Sequence, residues 1–231
     1  MRIDRFISNA TDLSRNDVKR LVKNGEVAID GTPVNDPGQR LGEGQDVTIA
    51  GAPIATPQPR YYMLNKPAGV VCANRDRDHT TAVELIYEHR AEELQIAGRL
   101  DIDTTGLVLL TDDGQWNHRL TSPRNRCKKL YHVSLAEPLD DPQSAVERCA
   151  KGIFLHGEQR RCQPAALTVL DPCTVELAIV EGKYHQVKRM FAALGNAVVA
   201  LHRHSVGEIV LDADLAPGEY RPLSAAEVAA I

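Results

Sequence analysis

Hydrophobic residues near the start of the chain recur first at helical spacing. The i, i+3, i+4, i+7 pattern of an amphipathic helix is met by Ile3, Phe6, Ile7 and Ala10. Ser14 and Asp17 form a capping box, which predicts a second helix beginning at Arg15. Gly25 is placed to end that helix. Two short helices are therefore expected within the first 25 residues.

Strand patterns follow in the same segment. Residues 26–29 run into Asp30-Gly31, a dipeptide typical of two-residue hairpin turns. Residues 47–49 predict a further strand, and the proline-rich stretch 51–60 predicts a linker. We therefore expect a small unit over residues 1–50 and a larger one over residues 61–231.

The larger unit has mixed periodicities. Strands are predicted at 61–64, 70–72, 107–110, 131–135 and 175–180. Helices are predicted after Asp141, around 187–194 and after Ser224. Because strands and helices do not alternate strictly, we predict an α+β fold with a mixed, mostly antiparallel sheet flanked by helices, rather than a doubly wound parallel sheet.

Charge is unevenly distributed along the chain. The net charge of −4 argues against a nucleic-acid partner. However, residues 1–25 contain six basic and three acidic residues, and residues 117–132 contain five basic residues and no acidic one. Each run alone is also typical of a solvated face. The candidate RNA-binding cations in these runs are Arg2, Arg5, Arg15, Lys19, Arg20, Lys23, Arg124, Arg126, Lys128 and Lys129.

Several classes of protein are disfavoured. The sequence has no apolar run of the length that spans a membrane and no secretory signal pattern, so we expect a cytoplasmic protein with no membrane partner. The five cysteines form no C-x-x-C pair and are interpreted as reduced thiols. His202 and His204 lack neighbours that would complete a regular ligand pattern, so no metal is predicted. No P-loop or G-x-G-x-x-G motif is present, so no cofactor is predicted.

Two polar segments are candidates for chemistry. Residues 97–107 place Asp101 in a loop directly before the most apolar strand, although a turn capped by aspartates fits the same composition. Residues 181–190 place His185 and Lys188 near the start of an amphipathic helix. A cation there would favour the ionised form of Asp101, whereas an ordinary solvated helix surface is the simpler interpretation.

Taken together, these segments resemble one known family. Residues 65–69 (NKPAG), 98–114 (GRLD through TDDG), 129–133 (KLYHV) and 182–190 (GKYHQVKRM) are similar, in order, to the motifs of the pseudouridine synthases of the bacterial small-subunit rRNA type. Residues 14–31 are similar to the S4-like RNA-binding pattern that precedes the synthase domain in that family. The resemblance covers essentially the whole chain.

The resemblance implies a function and a set of roles. The chain would isomerise a uridine to pseudouridine in small-subunit rRNA, free or in a partly assembled subunit, as a monomer and without a cofactor. Asp101 would be the catalytic carboxylate, Tyr131 would stack on the base, and Arg99 would hold the flipped nucleotide. Lys188 would keep Asp101 ionised. Lys66 and His185 join the RNA-binding candidates.

Other functions remain open at this point. The same chemistry could act on large-subunit rRNA or tRNA. A non-catalytic S4-type RNA-binding or assembly protein would not need the Asp101 loop. A nucleoside hydrolase or glycosidase would need a second carboxylate, for which Asp103 is the candidate.

Overall fold

The computed structural model describes residues 1–42 and 44–231. Two compact units divide the chain, Met1–Pro59 and Arg60–Ile231. Within the described residues, no helix is long and apolar enough to cross a membrane.

The first unit packs two helices on a small antiparallel sheet. Its sheet has the order β2-β1-β3-β4. The predicted helices, capping box and Asp30-Gly31 hairpin are confirmed. The elements are α1 (Ile3–Ala10), α2 (Arg15–Lys23), β1 (Val27–Ile29), β2 (Thr32–Pro33), β3 (Val47–Ile49) and β4 (Ala52–Pro53).

The structure of residues 51–60 differs in part from the linker that the sequence predicts. Ala52 and Pro53 pair with β3, and Ile54 packs against the core of the first unit. Pro53 is tolerated because β4 lies at the edge of the sheet, where a missing N–H costs no ladder bond. The first part of the stretch therefore belongs to the first unit.

The second unit contains a mixed sheet in the order β13-β5-β7-β11-β8-β10-β9, with β6 paired to β7 and β12 to β11. The described strands are β5 (Tyr61–Lys66), β6 (Gln95–Ala97), β7 (Thr105–Thr111), β8 (Lys129–Leu135), β9 (Ala166–Asp171), β10 (Thr174–Ile179), β11 (Val198–Val206), β12 (Ile209–Val210) and β13 (Tyr220–Pro222). The pairing of β7 with β11 is parallel, and the other pairings are antiparallel. The predicted α+β class is confirmed.

Helices lie against this sheet because alternate strand residues point to opposite faces. Val108 and Leu110 of β7 join one core with Met190 and Phe191, whereas Leu107 and Leu109 join a second core around Trp116. The helices are α3 (Gly114–Thr121), α4 (Pro142–Ala150), α5 (Gln186–Ala193) and α6 (Ala225–Ala229).

Two features of this unit differ from the sequence prediction. Residues 70–72 are not a strand, and only Val71 forms an isolated bridge, to Thr81. Helix α3 is not among the predicted helices, because Asp113 fits the end of a strand equally well in sequence. In the structure, the Asp113 carboxylate caps helix α3 by accepting hydrogen bonds from the N–H groups of Gln115 and Trp116.

Candidate active site

Arg203 of β11 fixes the loop that contains Asp101. The side chain is 1% exposed, and its Nε donates to the Leu107 carbonyl at 2.7 Å. Its Nη2 donates to the Gly98 carbonyl, also at 2.7 Å. These carbonyls lie on either side of the loop, so one buried guanidinium holds both of its ends through charge-assisted hydrogen bonds.

Gly106 allows the close approach of β7 to β11. A Cβ at this position, where φ is +101°, would lie 2.4 Å from the Arg203 carbonyl oxygen. The register places Gly106 opposite Arg203, and Arg203 opposite Tyr131 of β8. Glycine is therefore required here, and the three aligned strands bring Tyr131 beside the Asp101 loop.

Lys66 also supports this loop, which corrects its assignment as an RNA-binding residue. Its side chain is fully buried, and Nζ donates to the carbonyls of Pro67, Val70 and Ile102 at 2.8, 2.7 and 3.3 Å. Burial lowers the pKa of Lys66, against the opposing influence of nearby acidic groups. A cation enclosed by backbone carbonyls cannot reach an RNA phosphate, so Lys66 is a structural residue.

Asp101 lies between the side chains of Lys188 and His185. Lys188 Nζ is 3.5 Å from its Oδ2, and His185 Nε2 is 3.6 Å from its Oδ1. The Asp101 side chain is 32% exposed and therefore open to a substrate. This proximity agrees with the prediction that Lys188 lies close to Asp101.

The hydrogen bonds of Lys188 go to a different carboxylate. Its Nζ donates to both oxygens of Asp103, at 2.6 and 2.8 Å. This hydrogen bond lowers the pKa of Asp103. Lys188 therefore bridges two carboxylates, in closer contact with Asp103 than with Asp101.

The predicted catalytic residues line one cleft. A cavity of about 790 Å³ is bordered by Arg99, Asp101, Tyr131 and Lys188. Tyr131 is 7% exposed and also borders a smaller recess of about 90 Å³ together with Asp101 and Thr104. Arg99 is exposed. The larger volume lies within the range of small-ligand sites.

Thr104 was not singled out by sequence reasoning. Its hydroxyl is buried at the recess, and no partner for it is found among the described residues. A buried hydroxyl is ordinarily hydrogen-bonded, so Thr104 is a group that an incoming ligand could satisfy. The signal in the sequence was only its place beside Asp103.

Other predicted cations lie on two separate surfaces. In the first unit, Arg2 pairs with Asp4 at 2.8 Å and Arg20 pairs with Asp17. The remaining cations there are exposed: Arg5, Arg15, Lys19 and Lys23. In the second unit, the exposed cations of the predicted run are Arg124, Arg126 and Lys128.

Lys129 differs from these neighbours. It lines the cleft, is half-buried, and its Nζ donates to the Cys127 carbonyl at 3.1 Å. Burial lowers its pKa. Lys129 is therefore a cleft residue rather than part of an open cationic surface.

Three histidines meet on one sheet face. His132 stacks on His204 at 4.8 Å between ring centroids, and His202 lies 6.3 Å from His132. In the part of the chain that the structure describes, no three His, Cys, Asp or Glu side chains are arranged to hold a metal ion. The rings pack on one another instead.

The comparisons with known proteins match this architecture. A model of the RNA pseudouridylate synthase family matches residues 60–193, and a model of the S4 domain matches residues 1–47. The chain belongs to the RNA pseudouridylate synthase family, with an S4 domain preceding the synthase domain.

Individual relatives are similar over their whole length. The chain is 51% identical to ribosomal small subunit pseudouridine synthase A of Escherichia coli (strain K12), covering 100% of both chains. It is 46% identical to the protein of the same name from Haemophilus influenzae, covering 99% of this chain and 98% of the relative. A crystal structure of a pseudouridylate synthase has a TM-score of 0.71 at 44% identity, covering 99% of this chain and 98% of that one.

Proposed function

We propose that this chain converts a uridine in small-subunit ribosomal RNA into pseudouridine, with Asp101 as the catalytic carboxylate. The observation that carries the proposal is the cleft in which Asp101 lies with Arg99, Tyr131 and Lys188. Relatives named as small-subunit enzymes are about half identical over the full length, which supports the substrate class.

The reaction divides into roles that the cleft residues can fill. The N-glycosidic bond breaks, the uracil turns, and a carbon–carbon bond forms at its C5. Asp101 acts at the ribose, either by attack on the sugar or by removal of its 2′ proton. Lys188, whose Nζ is 3.5 Å from Asp101 Oδ2, positions the carboxylate for this step.

The base must leave the RNA stack to reach this carboxylate. Tyr131 lies beside Asp101 and offers an aromatic ring for the flipped uracil. Arg99, exposed beside the cleft, holds the displaced nucleotide. The unpaired hydroxyl of Thr104 adds a hydrogen-bonding group in the same recess.

The exposed cations of the S4 domain and of the 124–128 segment bind RNA phosphates in this proposal. Arg15, Lys19 and Lys23 share one helix, α2, and are all exposed. Counterion release makes such contacts weaken steeply with salt. The protein acts in the cytoplasm as a monomer, on rRNA or on a partly assembled small subunit.

A hydrolytic alternative is disfavoured by the state of Asp103. Both of its oxygens accept from Lys188, and its pKa is lowered. A general acid needs a raised pKa, so Asp103 does not serve as the general acid of a glycosidase. A purely RNA-binding role leaves the cleft around Asp101 unexplained.

The experiment is to map pseudouridines in rRNA and tRNA from a strain that lacks this gene, complemented with the wild-type chain or with Asp101→Asn. We expect one pseudouridine of the small-subunit rRNA to disappear on deletion and to return only with the wild-type chain. Loss of a modification confined to large-subunit rRNA or tRNA would reassign the substrate. An unchanged map would refute the proposed function.

A further inference from the structure

Tyr184 is an exposed aromatic side chain at the cleft. It is 77% exposed, although an aromatic ring ordinarily gains by burial. It borders the same cavity as Asp101 and Tyr131. Nothing in the roles assigned above uses Tyr184, so its exposure calls for an explanation in terms of a ligand.

The Tyr184 ring is stacked on His185. Their centroids are 3.8 Å apart and the ring planes differ by 18°. His185 in turn places Nε2 3.6 Å from the Asp101 carboxylate. One face of the tyrosine is therefore covered, and the high exposure leaves the opposite face open to a further flat ring.

The backbone holds this ring pair in place. His185 adopts a left-handed conformation at φ 46°, and Arg189 Nη1 donates to the Tyr184 carbonyl at 2.9 Å. Arg189 is itself anchored, since its Nη1 lies 3.2 Å from Glu158 Oε1. Glu158 also accepts from Lys183 Nζ at 2.8 Å. These contacts therefore fix the turn that carries the exposed ring of Tyr184.

The ion pairs with Glu158 also determine what kind of group the open face of Tyr184 binds. Lys183 and Arg189 flank Tyr184, but both are paired with Glu158 and so are partly neutralised. The feature that remains available is an uncharged π-face. Base stacking on aromatic rings is the recognition mode that such a surface serves in single-stranded RNA.

Resting on the proposed function, we propose that Tyr184, backed by His185, is a stacking subsite for an unpaired base next to the uridine that is isomerised. The uridine enters toward Asp101 and Tyr131, while its neighbour in the chain stacks on the open face of Tyr184. Tyr184 is then a specificity-determining residue that acts on binding and not on the chemical step.

The test uses small-subunit rRNA transcripts and a matched set of variants. Tyr184→Ala removes the ring, Tyr184→Leu keeps apolar cover over His185 without a π-face, and Tyr184→Phe keeps the face. Tyr87→Ala is the control, because Tyr87 is 84% exposed and is not among the residues that line the cleft. The uridine is mapped with the wild-type chain, and 2-aminopurine then replaces each neighbouring base in turn.

We expect Tyr184→Ala and Tyr184→Leu to raise KM roughly 5- to 100-fold, the range set by stacking on one base, with kcat within about twofold. Tyr184→Phe and Tyr87→Ala should match the wild type. The 2-aminopurine fluorescence at one neighbour should be quenched by the wild-type chain and by Tyr184→Phe, and not by Tyr184→Ala.

Two results would overturn the inference. One is that, at each of the two neighbouring positions, the wild-type chain and Tyr184→Ala quench the 2-aminopurine fluorescence to the same extent. The other is a fall in kcat at unchanged KM, which would make Tyr184 a support for His185 instead. Failure of the wild-type chain to form pseudouridine in any rRNA transcript or partly assembled subunit would refute the proposed function, and that reaction is measured before any variant.

Discussion

The buried cations beneath the Asp101 loop and the exposed cations of α2 carry the same charge and have different roles. Arg203 and Lys66 are almost fully enclosed and donate to backbone carbonyls. Lys19 and Lys23 are exposed to solvent. Burial decides the role, because an enclosed cation must satisfy its donors within the protein. The first pair holds the Asp101 loop in place, and the second pair is exposed where it can contact phosphates.

The largest effect is expected from Arg203→Leu. The change leaves the Gly98 and Leu107 carbonyls without their donor in a buried site. We expect a loss of about 3–5 kcal/mol in the free energy of unfolding. Urea titration followed by the fluorescence of Trp116, the one tryptophan of the chain, measures this loss of stability.

Arg99→Leu is the exposed control and should change stability by less than about 0.5 kcal/mol. If both variants were equally stable, the buried and the exposed cation would not differ in their contribution to stability, which would contradict the comparison.

Gly106→Ala should come next. The added Cβ would meet the Arg203 carbonyl oxygen at 2.4 Å, at a φ that favours glycine. We expect a loss of about 2–4 kcal/mol from the clash and the strain together, measured by thermal unfolding. Gly114→Ala is the matched control, since nothing lies within 4 Å of its added Cβ. A stable Gly106→Ala would show that β7 and β11 can separate without cost.

Lys188→Met tests the exposed side of the site. Loss of the charge 3.5 Å from Asp101 should lower kcat about 10- to 100-fold, because the site loses a positive charge placed beside the reacting groups. Affinity for rRNA should stay within about threefold. Lys188→Arg retains the charge and should recover most of the rate. An equal loss in both variants would show that the shape of Lys188 matters rather than its charge.

The double variant Lys19→Ala/Lys23→Ala tests the exposed pair. If Lys19 and Lys23 bind phosphates as proposed, removing each of them should reduce the slope of log K against log salt by about 0.7–0.9. We expect weaker rRNA binding, unchanged kcat and unchanged stability, measured by filter binding at several salt concentrations. Arg203→Leu should give the opposite profile where it still folds. A salt slope that does not change would remove α2 from the RNA-binding surface.

The smallest effect is expected from Asp103→Asn. The Lys188 hydrogen bond lowers the pKa of Asp103, so its stabilising contribution is present above the ordinary carboxyl pKa and is lost as pH falls through the lowered value. The side chain is 65% exposed, which limits the effect to about 0.5 kcal/mol at pH 7. The difference from wild type should shrink as pH falls below the ordinary carboxyl pKa. Asp214→Asn, an exposed aspartate, serves as the control.

Local signals predicted local structure well. The Ser14–Asp17 capping box and the Asp30-Gly31 turn concern residues close in sequence, and both are present. Lys66 was misassigned because its burial depends on carbonyls from the distant Asp101 loop as well as its own turn. Arg203 was missed for the same reason, since its partners lie across a strand pairing that only the topology defines.

The residues of the candidate site divide in the same way, into those that the sequence predicts and contacts that only the fold defines. Asp101 and Lys188 were singled out by their polar segments and Arg99 and Tyr131 through motif resemblance, and all four line one cleft. The preference of Lys188 for Asp103 was not foreseen, because two carboxylates two residues apart are equivalent in sequence. Their difference arises only from the way the loop is held.

The central claim is that Asp101 performs chemistry in a cleft whose RNA affinity comes from other residues. Asp101→Asn keeps the size of the side chain and removes its charge, so it tests this claim most directly. The measurement is the single-turnover rate of pseudouridine formation together with the rRNA dissociation constant in the same preparation. We predict no detectable product with a dissociation constant within about threefold of wild type. Product formation at the wild-type rate would contradict the account.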